Sequence, residues 1–155
     1  DRLRSRGLGD VYKRQPSYGP EMRGGTANCS VCISDEDIGS PIIQNPDILV
    51  AMNGPSYEKF IGAVKSGGKA FYDSSMMSGV EERGDADMYA VPASDLAEEH
   101  ELYGGANMIL LGKLLEITGL FSDETVERAL KKCVAPKRAR LIPYNMQAVE
   151  LGRKS

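Results

Sequence analysis

Ile48-Leu49-Val50-Ala51-Met52-Asn53-Gly54-Pro55 is the stretch that decides the fold. Five apolar residues without alternation run into a polar, turn-forming end. A short run of this kind bounded by breakers is expected as a central strand buried on both faces, the habit of a parallel sheet covered by helices. Pro55 suits the first residue of a helix, where its missing N–H leaves no bond unmade. Tyr57, Phe60, Ile61 and Val64 then fall on one apolar face, and Gly67-Gly68 are the expected stop. Ala70-Phe71-Tyr72 resume as a strand ending in Asp73-Ser74-Ser75. A strand, a helix and a strand of these lengths make a crossover between parallel strands.

Downstream, Met88-Tyr89-Ala90-Val91 is a further short strand closed by Pro92, and Ser94 or Asp95 offers a cap for a brief helix towards His100. Three helices follow. Residues 104–118 carry Met108, Leu111, Leu114 and Leu115 on one side, with Gly119 as the stop. Residues 123–133 follow Ser122 as N-cap, with acids in the first turn and Lys131 and Lys132 in the last, as the helix dipole favours. Residues 144–151 form the last. Upstream, Ala27, Cys29, Val31 and Ile33 alternate with polar neighbours in a half-buried strand over residues 26–34. An acidic turn and a short extended return, Ser40-Pro41-Ile42-Ile43, lead back to the deciding stretch. The sum is an α/β domain with a mostly parallel sheet. Ligands of such sheets bind at the carboxyl ends of the strands. That places Asn53, Ser56, Asp73 and Ser74 on the candidate functional edge, although caps and turns demand the same residue types.

The chain has 155 residues, enough for one domain with a real core. No apolar run is long enough to span a bilayer. Three cysteines, an odd number, suggest reduced thiols and a cytoplasmic setting. Cys29 and Cys32 spell C-x-x-C, but three residues apart on a strand their sulfurs point to opposite faces. They are expected as small buried side chains; no second Cys or His pair completes a zinc site, and four thiolates for an iron–sulfur cluster are lacking. Net charge is −3, yet Arg2, Arg4, Arg6, Lys13 and Arg14 outnumber Asp1 and Asp10 by three, so residues 16–155 carry −6. An acidic body argues against nucleic acid or an anionic membrane as partner. Residues 7–15 resemble translated sequencing adaptor and show neither helical nor strand period. Residues 1–15 are therefore read as a non-native segment, outside the domain of residues 16–152.

That domain opens on Pro16-Ser17-Tyr18-Gly19-Pro20-Glu21-Met22-Arg23-Gly24-Gly25. The density of breakers predicts a stiff loop beside the strand that follows. Arg23 offers a planar fork for carboxylate or phosphate, and Gly24-Gly25 let backbone amides approach a partner. Tyr18, Gly19, Pro20, Glu21, Arg23, Gly24 and Gly25 are thus the candidate contact loop. The alternative is a connector in which Glu21 and Arg23 pair at the surface. Lys137, Arg138 and Arg140 form a small basic cluster, a solvated face or a dock for an acidic partner. No Ser/His/Asp set, no paired carboxylates and no phosphate-cradling glycine motif is present, so no catalytic residue and no metal ligand is assigned.

The loop, then Cys29-Ser30-Val31, Ser40-Pro41 and Pro46-Asp47 leading into the deciding stretch, together with Gly105-Ala106-Asn107-Met108 and Leu141-Ile142-Pro143-Tyr144-Asn145, resemble the gamma subunit of 2-oxoacid:ferredoxin oxidoreductases. The resemblance implies a three-layer, Rossmann-like α/β domain in a hetero-oligomer. That complex oxidatively decarboxylates a 2-oxoacid to its acyl-CoA and passes electrons to ferredoxin. It implies partner alpha and beta subunits and allows a ferredoxin-like delta subunit. Thiamine diphosphate, magnesium and iron–sulfur clusters lie in those subunits, none is held by this chain alone, and coenzyme A is a substrate. The loop resembles the 2-oxoglutarate and 2-oxoisovalerate enzymes more than the indolepyruvate ones. Such subunits begin with a Gly-rich strand–loop–helix, and here that first strand and loop are expected to be missing. A purely structural subunit and a stand-alone nucleotide-binding module are the other readings.

Overall fold

Phe71 and Tyr72, adjacent on one strand, bury their rings in two different cores, and the layers follow from that alternation. The structure is a computed structural model. It describes residues 3–4, 11–18, 27–35, 37–38 and 42–155, with the backbone alone for residues 3–4, 11–18 and 27. Strands β1 (Leu3–Arg4), β2 (Val11–Tyr18) and β3 (Ala27–Ser34) form one antiparallel sheet in that order. Strands β4 (Ile48–Ala51), β5 (Lys69–Asp73) and β6 (Asp87–Val91) form a second, wholly parallel sheet with β5 in the middle. Helix α1 (Gly54–Ile61) lies between β4 and β5; α2 (Ala93–Glu99), α3 (Ala106–Thr118), α4 (Asp123–Cys133) and α5 (Leu141–Lys154) follow the sheet.

One face of the parallel sheet meets α1. There Ala51, Tyr57, Tyr72 and Met77 form a core, with the Tyr57 and Tyr72 rings edge to face at 5.5 Å. The other face meets α2, α3 and α5. There Phe71 stacks on its register partner Tyr89 at 4.7 Å, among Val91, Ala97, Leu102, Ile109 and Leu110. The expected three-layer α/β arrangement is thus present. The helices on this second face are joined by an unusually close crossing. A Cβ on Gly112 of α3 would sit on the Val149 carbonyl oxygen of α5, and one on Gly152 of α5 on the Ile109 carbonyl of α3. Only hydrogen atoms fit at both positions.

Several expectations need correction. The run Ile48–Ala51 is the edge strand of the described parallel sheet, not a central one, and Val50 is 43% exposed; the doubly buried strand is β5. Continuous apolar character did not separate them, because Lys69 and Asp73 flank β5 with charge. The period-two strand β3 pairs antiparallel with β2 instead of joining the parallel sheet, so the described strands form two sheets. Strand β2 itself runs through residues 11–15, where no period announced a strand, and takes in Pro16, Ser17 and Tyr18, expected as loop. Its recruitment comes from eight residues in register with β3, a backbone matter that side-chain patterning does not display. Helix α1 stops at Ile61, before Val64, and α5 begins at Leu141, after a 3₁₀ turn over Pro136–Arg138. Pro55, Ser122 and Gly119 act as expected: Pro55 in the first turn of α1, the Ser122 hydroxyl accepting from the Thr125 amide, and Gly119 left-handed (φ 63°) beyond α3.

Gly112→Ala or Gly152→Ala must push the backbones of α3 and α5 apart and should lower stability by ~3 kcal/mol. A urea midpoint unchanged in both variants would contradict the close crossing.

Candidate functional site

The carboxyl ends of β4 and β5 carry the polar residues singled out in the sequence, and the structure brings two of their four side chains into separate helix caps. Asn53, just beyond β4, is extended, and its Oδ1 accepts the Ser56 amide at 2.9 Å, capping α1. Asp73 ends β5 on the Phe71 side of the sheet and is fully buried. Its Oδ1 accepts the amides of Ser75 (3.1 Å) and Ser94 (3.3 Å), and its Oδ2 accepts the Ser94 hydroxyl at 2.5 Å. The Ser75 hydroxyl in turn accepts the Asp95 amide at 3.1 Å, and the Ser74 amide donates to the Val91 carbonyl. Asp73 therefore ties the ends of β5 and β6 to the first turn of α2. Its carboxylate accepts from three groups of its own chain, two amides and a hydroxyl, and Ser94, expected as a cap, lies inside α2, whose N-cap is Pro92.

On the α1 side of the same edge, a cleft of about 800 Å³ opens between α1 and the segment that connects β5 to β6. Tyr57, Ile61 and Met77 line its floor; Glu58, Glu81, Glu82 and Arg83 stand at its walls. Arg83 organises the segment. Its Nη1 donates to the carbonyls of Ile61 (2.8 Å), which also accepts the Val64 amide, and of Val64 (2.7 Å), just past the end of α1. Its Nε and Nη2 grip both oxygens of Asp85 at 2.8 and 2.6 Å. That bidentate hydrogen bond raises the Arg83 pKa and holds the Asp85 carboxyl below its ordinary 3.8. The Tyr57 hydroxyl donates to the Glu81 carbonyl at 2.8 Å; burial, then the nearby Tyr72 and Glu82, push its pKa up, so it stays protonated as that donor. Among the lining residues Arg83 is the sole cation and all three of its nitrogens are engaged. The cleft thus presents carboxylates and carbonyls, poor company for a phosphate. Nothing in the sequence flagged Arg83, because its partners at Ile61 and Val64 are some twenty positions upstream.

Met77 fills the α1-side core, as a gap-filling methionine should, while Met76 is exposed. His100 is exposed at the end of α2, and Lys137, Arg138 and Arg140 are exposed. Cys29 and Cys133 are exposed too and Cys32 half-buried, so the C-x-x-C thiols are not both the buried side chains expected; all three are free. On β3 the apolar residues are the more exposed ones. Val31 and Ile33 line a second, apolar groove of about 470 Å³ facing α3 and α4. Of the contact loop, Tyr18 ends β2 opposite Ala27; Gly19, Pro20, Glu21, Arg23, Gly24 and Gly25 lie outside the described residues. Among the described residues no three His, Cys, Asp or Glu side chains are grouped to hold a metal ion, and no helix is long and apolar enough to cross a membrane.

Residues 9–155 match the family described as pyruvate ferredoxin/flavodoxin oxidoreductase, and the chain belongs to it. It is 40% identical over 139 residues to ketoisovalerate oxidoreductase subunit VorA of Methanothermobacter thermautotrophicus, with 88% of this chain but only 28% of that one covered. It is 38% identical over 145 residues to 2-oxoglutarate synthase subunit KorC of Methanothermobacter marburgensis, covering 89% of this chain and 76% of that subunit. Among solved structures it is similar to the gamma subunit of a keto/oxoacid ferredoxin oxidoreductase from Geobacter sulfurreducens (TM-score 0.73, 27% identity, 94% of this chain and 80% of that one). It is also similar to 2-oxoglutarate:ferredoxin oxidoreductase from Magnetococcus marinus, determined with 2-oxoglutarate, coenzyme A and succinyl-CoA bound (TM-score 0.80, 26% identity, 92% of this chain and 25% of that one).

Asp73→Ala should cost about 2 kcal/mol, since it strands buried donors at the start of α2; a loss within a few tenths of wild type in chemical denaturation would contradict the cap. The Arg83–Asp85 pair sets a pH response. Because the Asp85 pKa is depressed on folding, its contribution is present above the ordinary carboxylate value and is lost as pH falls through the lowered one. Amide exchange in residues 78–86 should therefore quicken below about pH 4 relative to Asp85→Asn, which should lack that pH dependence. Matching profiles for the two proteins would contradict it.

Proposed function

We propose that this chain acts as the gamma part of a complex that oxidatively decarboxylates a 2-oxoacid to its acyl-CoA and passes the electrons to ferredoxin. The observation that carries this reading is the family match over residues 9–155 combined with coverage of three quarters of a KorC subunit, a chain of comparable scope. Both 2-oxoglutarate and 2-oxoisovalerate are favoured as substrates, since relatives of both kinds match at about 40% identity. The chain spans about 28% of the VorA relative, so in such proteins the same domain is one part of a longer polypeptide.

In this reading the alpha and beta subunits carry thiamine diphosphate and magnesium, and iron–sulfur clusters lie outside this chain. The chain's own task is positioning. The acidic cleft beside α1 is unsuited to the phosphates of coenzyme A, which leaves the loop Tyr18, Gly19, Pro20, Glu21, Arg23, Gly24 and Gly25 as the contact with coenzyme A or a neighbouring subunit. Arg23 supplies the fork-shaped cation and Gly24-Gly25 the close backbone approach. A purely structural subunit is the second reading, favoured by the use of Asn53 and Asp73 as helix caps.

The test is co-expression with the thiamine-binding alpha and beta subunits, followed by coenzyme A-dependent reduction of ferredoxin with 2-oxoglutarate, 2-oxoisovalerate or pyruvate. Activity should require this chain and favour the first two substrates; equal turnover without it would sink the proposal. Arg23→Ala should lower turnover or assembly by roughly tenfold or more, the worth of one charged hydrogen bond. Unchanged turnover and co-purification would select the structural reading.

A further inference from the structure

We propose that the basic turn between α4 and α5 is a docking surface for a short carboxylate-rich segment of a partner protein. From residue 128 to residue 149 the chain has no Asp or Glu, yet it carries Arg128, Lys131, Lys132, Lys137, Arg138 and Arg140. The net charge of the whole chain is −3, so this is a basic island on an acidic body. All six cations are exposed. Lys131 pairs with Glu127 at 2.7 Å, and among the described residues the other five form no ion pair.

Folding accounts for only part of this charge. Lys131 and Lys132 stand in the last turn of α4, where the helix dipole favours cations. Lys137, Arg138 and Arg140 stand at the opposite kind of end. They immediately precede α5, a helix of 14 residues whose first turn holds no acid and whose start has no side-chain cap. The dipole is positive there, so each of these cations costs stability, and they also repel one another. Residues that oppose the fold without compensation inside the domain mark a contact with something outside it. The turn that carries them is stiff. Pro136 opens the 3₁₀ helix, and the Arg138 and Ala139 amides donate to the Ala135 and Pro136 carbonyls at 2.7 and 3.1 Å.

Extent and flanks select the occupant. Three cations within four residues, at a rise of about 2 Å each, match a short run of carboxylates. Glu124 and Glu127 of α4 stand on one flank, and Glu101, whose carbonyl accepts the Tyr144 hydroxyl at 2.7 Å, on the other. A long polyanion such as RNA, or a flat anionic bilayer, would meet those carboxylates too. A short acidic segment lies between them and meets the cations alone.

The inference goes beyond the 2-oxoacid reading, and its test needs no turnover. Fluorescence anisotropy would follow binding of the full chain to a labelled peptide of about 12 residues with a central run of Glu, and to a counterpart with Gln in their place. The Glu peptide should bind, more weakly as salt rises, and the Gln peptide roughly tenfold more weakly or not at all. Lys137→Glu/Arg140→Glu should weaken binding of the Glu peptide by roughly tenfold or more. Its urea midpoint should stay at or above that of the parent chain, because acid then replaces cation at the start of α5. Arg138→Lys/Arg140→Lys, which keeps the charge, should bind within about threefold of the parent. Equal affinity for both peptides, no binding to either, or displacement of the Glu peptide by single-stranded RNA or phosphatidylserine vesicles would overturn the proposal. So would a lowered urea midpoint in Lys137→Glu/Arg140→Glu, since the cations would then serve the fold.

Discussion

The backbones of α3 and α5 touch at Gly112 and Gly152, and the second face of the sheet depends on that contact. Ile109 and Leu110, one turn before Gly112, reach the Phe71 side of the sheet, while Ala148 and Val149 of α5 close the same cores from behind. Helices held apart by side chains at the crossing would leave these apolar groups short of their neighbours, and dispersion contacts fall off steeply with separation. Arg153, one residue past Gly152, ties α5 to Glu116 of α3 and Asp123 of α4 at 3.4 and 2.8 Å. The two glycines thus set the distance at which three helices and one face of the sheet meet.

The polar edge of the parallel sheet shows how structure and function draw on the same residue types. Asn53 and Asp73 stand where α/β ligand sites lie, yet each spends its carbonyl or carboxylate on a helix start. The cleft nearby is acidic, and its one guanidinium finishes α1. The oxygens that Asn53 and Asp73 bring to the strand ends are thus spent inside the domain.

Most element positions were legible from local signals: the Pro55 start, the Ser122 cap, the Gly119 stop and the apolar run of β4. What was hidden shares a cause. Strand β2 is held by register with β3, the edge position of β4 by strand order, and Arg83 by carbonyls some twenty residues upstream. Each is a long-range pairing that spacing within one segment does not encode. The glycines at 112 and 152 were unremarked for the same reason, since a close crossing needs both helices at once. At the candidate site, Asp73 and Ser74 stand at the end of β5 and Asn53 just past β4, while Ser56 lies in the first turn of α1; whether an oxygen is free or bonded depends on Ser94, twenty-one residues away from Asp73.

The connection from β5 to β6 is a parallel crossover without a helix. It covers part of one face of the sheet with an irregular segment held at its start by Ser74 and Ser75 and beyond by the Tyr57 hydroxyl, the Arg83 guanidinium, the Met77 and Val80 side chains and the Gly67 amide on the Asp85 carbonyl. The opposite face is clasped by three helices. Cooperativity within the domain is then unequal. The α1 side is suited to open as a sub-global unit while β5, α2, α3 and α5 stay folded, so the sheet has a stiff side and a compliant one.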